Sequence, residues 1–142
     1  MTTIDLATAT RLATAGHAAA TALGVPMNIT IVDAAGHLLH FTRMDDALLG
    51  SIDLAHRKAK TALLFRMPTA TLGELSRPDG PIYGIEVSND GLITFGGGLP
   101  ITDPDGRVIG AVGVSGGTAD QDVEVARACV DNLVARDYEP VG

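Results

Sequence analysis

The chain has 142 residues, 46% of them apolar and 19% charged, with a formal net charge of −7. That size and apolar share fit one domain over residues 1–142 with a sizeable core and exclude a disordered chain. The acidic balance without a basic cluster argues against a nucleic-acid partner, the single cysteine rules out an intrachain disulfide framework, and the absence of Trp argues against a stacking platform for bases or sugars.

The first residues, Met1-Thr2-Thr3-Ile4-Asp5, show no basic stretch ahead of an apolar one. No apolar run is long enough to span a bilayer, so a cytoplasmic protein with no membrane partner is expected. Residues 3–23 predict a helix, with Thr3 as its cap and Asp5 in the first turn, where the dipole favours a carboxylate. Leu12, Ala15, Ala19 and Leu23 recur at helical spacing as a buried stripe, and Thr10, Thr14, His17 and Thr21 form a second, polar but uncharged one. An uncharged stripe suits a partner surface as well as solvent. Gly24 and Pro26 stop the helix.

Residues 27–33 and 37–43 alternate as two strands around the turn Asp33-Ala34-Ala35-Gly36. A second helix is predicted over residues 51–66. Ile52, Ala55, Ala59 and Ala62 face the sheet, and His56, Arg57, Lys58 and Lys60 make the opposite side basic. Residues 83–87 read as an edge strand, and Ser88-Asn89-Asp90-Gly91 as a turn. Residues 96–117 form a glycine-opened hairpin around Asp103-Pro104-Asp105-Gly106, closed by Gly116 and Gly117. Its two Gly-rich ends look like the rim of a site, although each glycine alone is explained by packing. Thr118 and Gln121 make a capping box for a last helix running to about residue 136, with Val123, Ala126, Val130 and Leu133 buried. Short turns between strands imply an antiparallel sheet, and the order of elements an α+β domain.

No metal-ligand spacing stands out. His37 and His40 lie three apart on a strand and point to opposite faces, and no second cysteine exists. Cys129 lies beside the apolar stripe of the last helix and reads as core. Arg43 and Asp45 close an apolar strand and Lys58 follows on the next helix. Such a set can clamp a carboxylate and move a proton. It can equally be a structural salt bridge with Asp45 or Asp46 capping the following turn, which the spacing favours. The amides of Gly116 and Gly117 could hold an anion, and His17 is either a surface histidine or a haem ligand.

Taken in order, Val32-Asp33-Ala34-Ala35-Gly36-His37-Leu38-Leu39, Arg43-Met44-Asp45-Asp46-Ala47, Ser51-Ile52-Asp53-Leu54-Ala55, Lys58-Ala59, Gly97-Gly98-Leu99-Pro100-Ile101 and the run from Val108 to Gly117 resemble the GlcG/HbpS-like family, the haem-degrading or DUF336 domain. The resemblance covers nearly the whole chain. It implies a profilin-like α+β fold with a five-stranded antiparallel sheet and flanking helices, homo-oligomers from dimer to octamer, and haem as cofactor. The extracellular branch opens with a secretion signal that this chain lacks, so its sensing role is not carried over.

On this basis the expected function is a cytoplasmic, oligomeric, small-ligand-binding module. His17 and His56 are its cofactor-binding residues, with His17 preferred as axial ligand, and Met44, Gly97, Gly98, Pro100, Ser115 and Gly116 contact the ligand. The rival is an enzyme acting on a carboxylate-bearing metabolite, with Arg43 as clamp and Asp45 or Lys58 as acid and base. A third reading is an accessory protein with a vestigial pocket. Whether the chain is an enzyme stays open at this point.

Overall fold

The computed structural model describes residues 3–138. The elements are α1 (Leu6–Leu23), β1 (Asn28–Asp33), β2 (Leu38–Arg43), α2 (Gly50–Phe65), α3 (Thr69–Leu75), a 3-10 turn at Ile85–Val87, β3 (Gly98–Thr102), β4 (Val108–Ser115), α4 (Ala119–Val130) and a 3-10 turn at Ala135–Tyr138. The four strands form one antiparallel sheet in the order β2-β1-β4-β3.

Two helices cover one face of the sheet and one covers the other. Ile29 and Ile31 of β1 and Val112 and Val114 of β4 pack with Leu12, Ala13 and Ala20 of α1 and Val125, Ala126 and Cys129 of α4. On the opposite face Val32 and Ala111 meet Ala59, Ala62 and Leu63 of α2. The close seat of α2 depends on Gly113, where a Cβ would stand 2.1 Å from the Ala55 carbonyl oxygen and 2.5 Å from the Ala59 nitrogen. The two hairpin turns are built alike. Asp33 Oδ1 accepts from the amides of Ala35 and His37, and Asp103 Oδ1 from those of Asp105 and Arg107.

The sheet has four strands rather than the expected five. Residues 83–87 do not pair as an edge strand, because Gly84 adopts φ +85° and the local bonds Ile85 N to Ile82 O, Val87 N to Gly84 O and Ser88 N to Ile85 O coil the segment on itself. The cap of α1 is Asp5, whose carboxylate accepts from the Thr8 amide, while Thr3 Oγ1 accepts from the Ala34 amide. The buried stripe of α1 is rotated from the expected one and carries Thr8, Ala9, Leu12, Ala13, Gly16 and Ala20. The capping box of Thr118 and Gln121 is present. Helix α4 ends at Val130 instead of near residue 136. The chain after it is clasped to α1 by Arg11, which donates to Asn132 and to the buried Asp137 carboxylate. No helix among the described residues is long and apolar enough to cross a membrane.

Substituting Ala for Gly113 should destabilise the fold by about 3 kcal/mol, the upper range for overpacking, since backbone rather than a flexible side chain opposes the added carbon. Denaturant unfolding at constant slope measures it. Asp137 gives a pH dependence. Burial raises its pKa, but Arg11, the Val134 amide and Thr8 outweigh that and hold the carboxyl below its ordinary value of 3.8. Its contribution is therefore present above the ordinary carboxylate range and lost as pH falls through the depressed folded value. Asp137→Asn should flatten the acid limb of a stability-against-pH curve.

Candidate functional site

Strand register gathers several of the expected residues at one end of the sheet. Arg43, Asn28 and Ser115 form one row across β2, β1 and β4, and Gly98 opens β3 beside Gly113. The Gly97 carbonyl accepts from the Val114 amide. Met44 turns inward: its amide donates to the Met27 carbonyl and its sulfur accepts from the Met27 amide. Pro100 lies two residues along β3, half-buried opposite Ala111. Within this row Asn28 is fully buried. Its Nδ2 donates to the Leu48 carbonyl, and its Oδ1 has no partner.

Lys58 is also at this end, but not on a basic surface. Its side chain is fully buried, and Nζ donates to Asp122 Oδ2 and to the Val114 carbonyl, both at 2.9 Å, while lying 4.9 Å from the centre of the Phe95 ring. Asp122 Oδ1 accepts in turn from the Gly117 amide. Burial pushes the ammonium down from its ordinary pKa and the carboxyl up, and the mutual hydrogen bond offsets part of each shift. A salt bridge was the structural alternative for Lys58, yet its partner is Asp122 and not Asp45 or Asp46. Arg43 and Asp45 are exposed and join no ion pair among the described residues. The structure therefore does not assemble Arg43, Asp45 and Lys58 into a clamp with a proton carrier.

The glycine rim closes around this pair. A Cβ at Gly97 would stand 2.7 Å from Lys58 Nζ and 2.4 Å from the Val114 carbonyl oxygen, and one at Gly98 2.5 Å from the Lys58 carbonyl oxygen. Gly97 at φ +131° and Gly116 at φ +148° also occupy conformations that favour glycine. These glycines let backbone approach the charge. Sequence reasoning missed Asp122, although a carboxylate in the first turn of a helix that follows two glycines was a visible signal.

Four histidines have distinct surroundings. His56 is half-buried, with Nδ1 2.9 Å from Thr30 Oγ1 and its ring 4.8 Å from that of Phe41. Together with Lys60 it borders two cavities of about 230 Å³ each, one apolar with Val32 and Leu38, the other polar with Asp53 and Arg57. His40 bonds Thr42, and His37 lies 4.0 Å from Asp33. His17 is exposed on α1, and its ring makes no hydrogen bond among the described residues. Cys129 is a core residue whose thiol burial pushes up to about 12.

The threonine hydroxyls around His17 spend their protons within the helix. Thr10, Thr14 and Thr21 donate their hydroxyls to the carbonyls of Leu6, Thr10 and His17 one turn back. Leu6, Ala18 and Ala22 are exposed on the same helix, whose one charged side chain, Arg11, is taken by Asn132 and Asp137.

The family described as haem degrading protein HbpS-like matches residues 4–131. An uncharacterized 15.0 kDa protein of Citrobacter freundii, encoded between dhaT and dhaS, is 42% identical over 130 residues, covering 91% of both chains. The corrinoid adenosyltransferase PduO of Salmonella typhimurium is 40% identical over 109 residues; the match takes in 76% of this chain and only 32% of that enzyme. A crystal structure of a PduOC–haem complex superposes with a TM-score of 0.87 at 36% identity, covering 92% of this chain and 95% of that one.

Replacing Lys58 by Met should cost about 3–5 kcal/mol by leaving a buried carboxylate without its cation. Adding Asp122→Asn, which keeps an acceptor for the Gly117 amide and removes the charge, should restore at least about 1 kcal/mol. Thermal and denaturant melts of the two variants check both signs.

Proposed function

The chain belongs to the HbpS-like family, and from that premise we propose that it is a self-associating haem-binding module with His17 as the iron ligand. The observation that carries this is the α1 face: an imidazole without a partner among the described residues, set in an uncharged surface whose hydroxyls donate within the helix. The likeness to a chain crystallised with haem supports the choice of cofactor.

Haem needs an axial donor and a dry, apolar slot. His17 supplies the donor nitrogen. A second copy of α1 laid against the first would supply the missing wall and exclude water, so binding and assembly support one another. Bound haem would bring redox and ligand-binding chemistry to the iron; the protein's part is to hold one coordination position and set the polarity around it. His56 is the competing donor. Thr30 fixes its ring and Lys60 stands near for a propionate, but neither cavity beside it reaches the size of a macrocycle. The enzyme reading through Arg43, Asp45 and Lys58 requires the ammonium to leave Asp122, and nothing in the geometry favours that. We place the protein in the cytoplasm, a compartment that suits one unpaired, buried thiol.

The Soret spectrum and haem affinity of His17→Ala, read beside the parent and His56→Ala, test the assignment. His17→Ala should shift the band and weaken binding, with His56→Ala close to the parent. A parent-like His17→Ala overturns it, and a loss confined to His56→Ala moves the site to α2. Light scattering should return a multiple of the 14.6 kDa chain mass. A monomer mass with haem bound would remove the role given to a second α1.

A further inference from the structure

A cleft lies at the opposite end of the sheet from Lys58. About 500 Å³ of half-open space separates the last turn of α2 from the two Asp–Gly turns. Leu63, Leu64 and Val108 are the large apolar side chains lining it, and Arg66, Arg107 and Asp105 are the charged groups along it. That volume is in the usual range for small-ligand sites, about 300–1,000 Å³. None of these residues touches the haem site proposed above, which is on a different helix.

Three observations point to a ligand with anionic oxygens. First, both guanidinium groups are exposed and form no ion pair or side-chain hydrogen bond among the described residues; Arg43, Arg77, Arg127 and Arg136 are unpaired there as well, but Arg66 and Arg107 come from two elements and border one cleft. Second, Arg66 ends α2 at φ +54°, a left-handed conformation where glycine is the usual residue, so the chain accepts backbone strain to carry an arginine there. Third, the backbone of each turn that walls the cleft is held by its own first residue. Asp33 and Asp103 each take two amides of their own turns, which fixes Ala34 and Ala35 on one side and Asp105 and Arg107 on the other. Complementing the negative C-terminal end of α2 explains a cation at Arg66. It does not explain Arg107, which comes from another element, or the apolar side chains between them.

We propose that this cleft binds a small organic dicarboxylate, its carbon chain on Leu63, Leu64 and Val108 and its two carboxylates on Arg66 and Arg107. Two planar forks suit two carboxylates better than one point charge. Asp105 opposes such a ligand and sets a ceiling on its affinity.

The test is an amide NMR titration of the whole chain at low salt with glutarate, with butyrate and inorganic phosphate as comparators. Glutarate should shift residues 34–36, 63–66 and 105–108 in a saturable way, and bind about tenfold or more tighter than butyrate, which lacks the second charge-assisted contact. Arg66→Gln and Arg107→Gln should each weaken glutarate by about tenfold, and Asp105→Asn should tighten it about threefold by removing a like charge. His17→Ala should leave it unchanged, which separates this site from the haem reading. If Arg66→Gln does not fold, Arg66→Lys decides. It keeps the charge at the helix end and loses the fork, so weakened glutarate with an intact melt supports the site. No saturable shift, equal response to butyrate, phosphate bound more tightly than glutarate, or unchanged affinity in both arginine variants overturns it.

Discussion

Lys58 is the largest of the fully buried side chains and it carries a charge, so the surrounding chain must bring oxygen to it. Three segments far apart in sequence do so. Helix α2 delivers the ammonium, the end of strand β4 delivers the Val114 carbonyl, and the first turn of α4 delivers Asp122. Backbone has to come within contact distance of Nζ for this to work, which is why Gly97 and Gly98 stand where β3 begins. Buried pairs of this kind gain little net stability over an apolar substitute. What this one fixes is position: it ties the helices on opposite faces of the sheet to one end of the central strand.

That constraint separates the core from the surfaces available for binding. Any ligand using Lys58 would have to replace Asp122 and open the glycine rim. The α1 face and the cleft between the turns are made by side chains that do not touch the pair. They differ in kind as well. The α1 face is an open, uncharged helix side that needs a second surface before it can shield a cofactor. The cleft already has an apolar lining, two walls and two cations. On the readings proposed above, binding at α1 would be coupled to assembly, while binding in the cleft would not.

Much of the fold was legible because local chemistry decided it. The Asp–x–x–Gly turns, the capping box at Thr118 and the stop at Gly24 are specified by residues within four positions of one another. The α1 stripe of Thr10, Thr14, His17 and Thr21 was visible by spacing and is exposed as expected. The false edge strand at residues 83–87 had strand-like composition, but Gly84 at positive φ closed a local turn. Lys58 was misread for a different reason. Its spacing, three residues after Ala55 and four before Ala62, puts it on the buried stripe of α2, but a lysine reads as surface because the partner that makes its burial possible lies 64 positions along the chain. The Arg66–Arg107 pair was invisible for the same cause, since the two residues meet only when both hairpin turns are folded beside the end of α2.

The unpaired Oδ1 of Asn28 has a place in this division. It is fully buried in the row between Arg43 and Ser115, while the Nδ2 of the same side chain is held by Leu48. A buried acceptor without a donor is costly, on the order of 1–3 kcal/mol. The cost falls at the end of the sheet where Asp46 takes φ +65° and Leu48 and Leu49 are exposed. Covering the loop between β2 and α2 would bury the exposed Leu48 and Leu49, whereas the Asn28 Oδ1 is already sealed inside and would not be reached. The core tied by Lys58 and Asp122 reaches neither the α1 face nor this loop, so either surface could be covered without rearranging the interior.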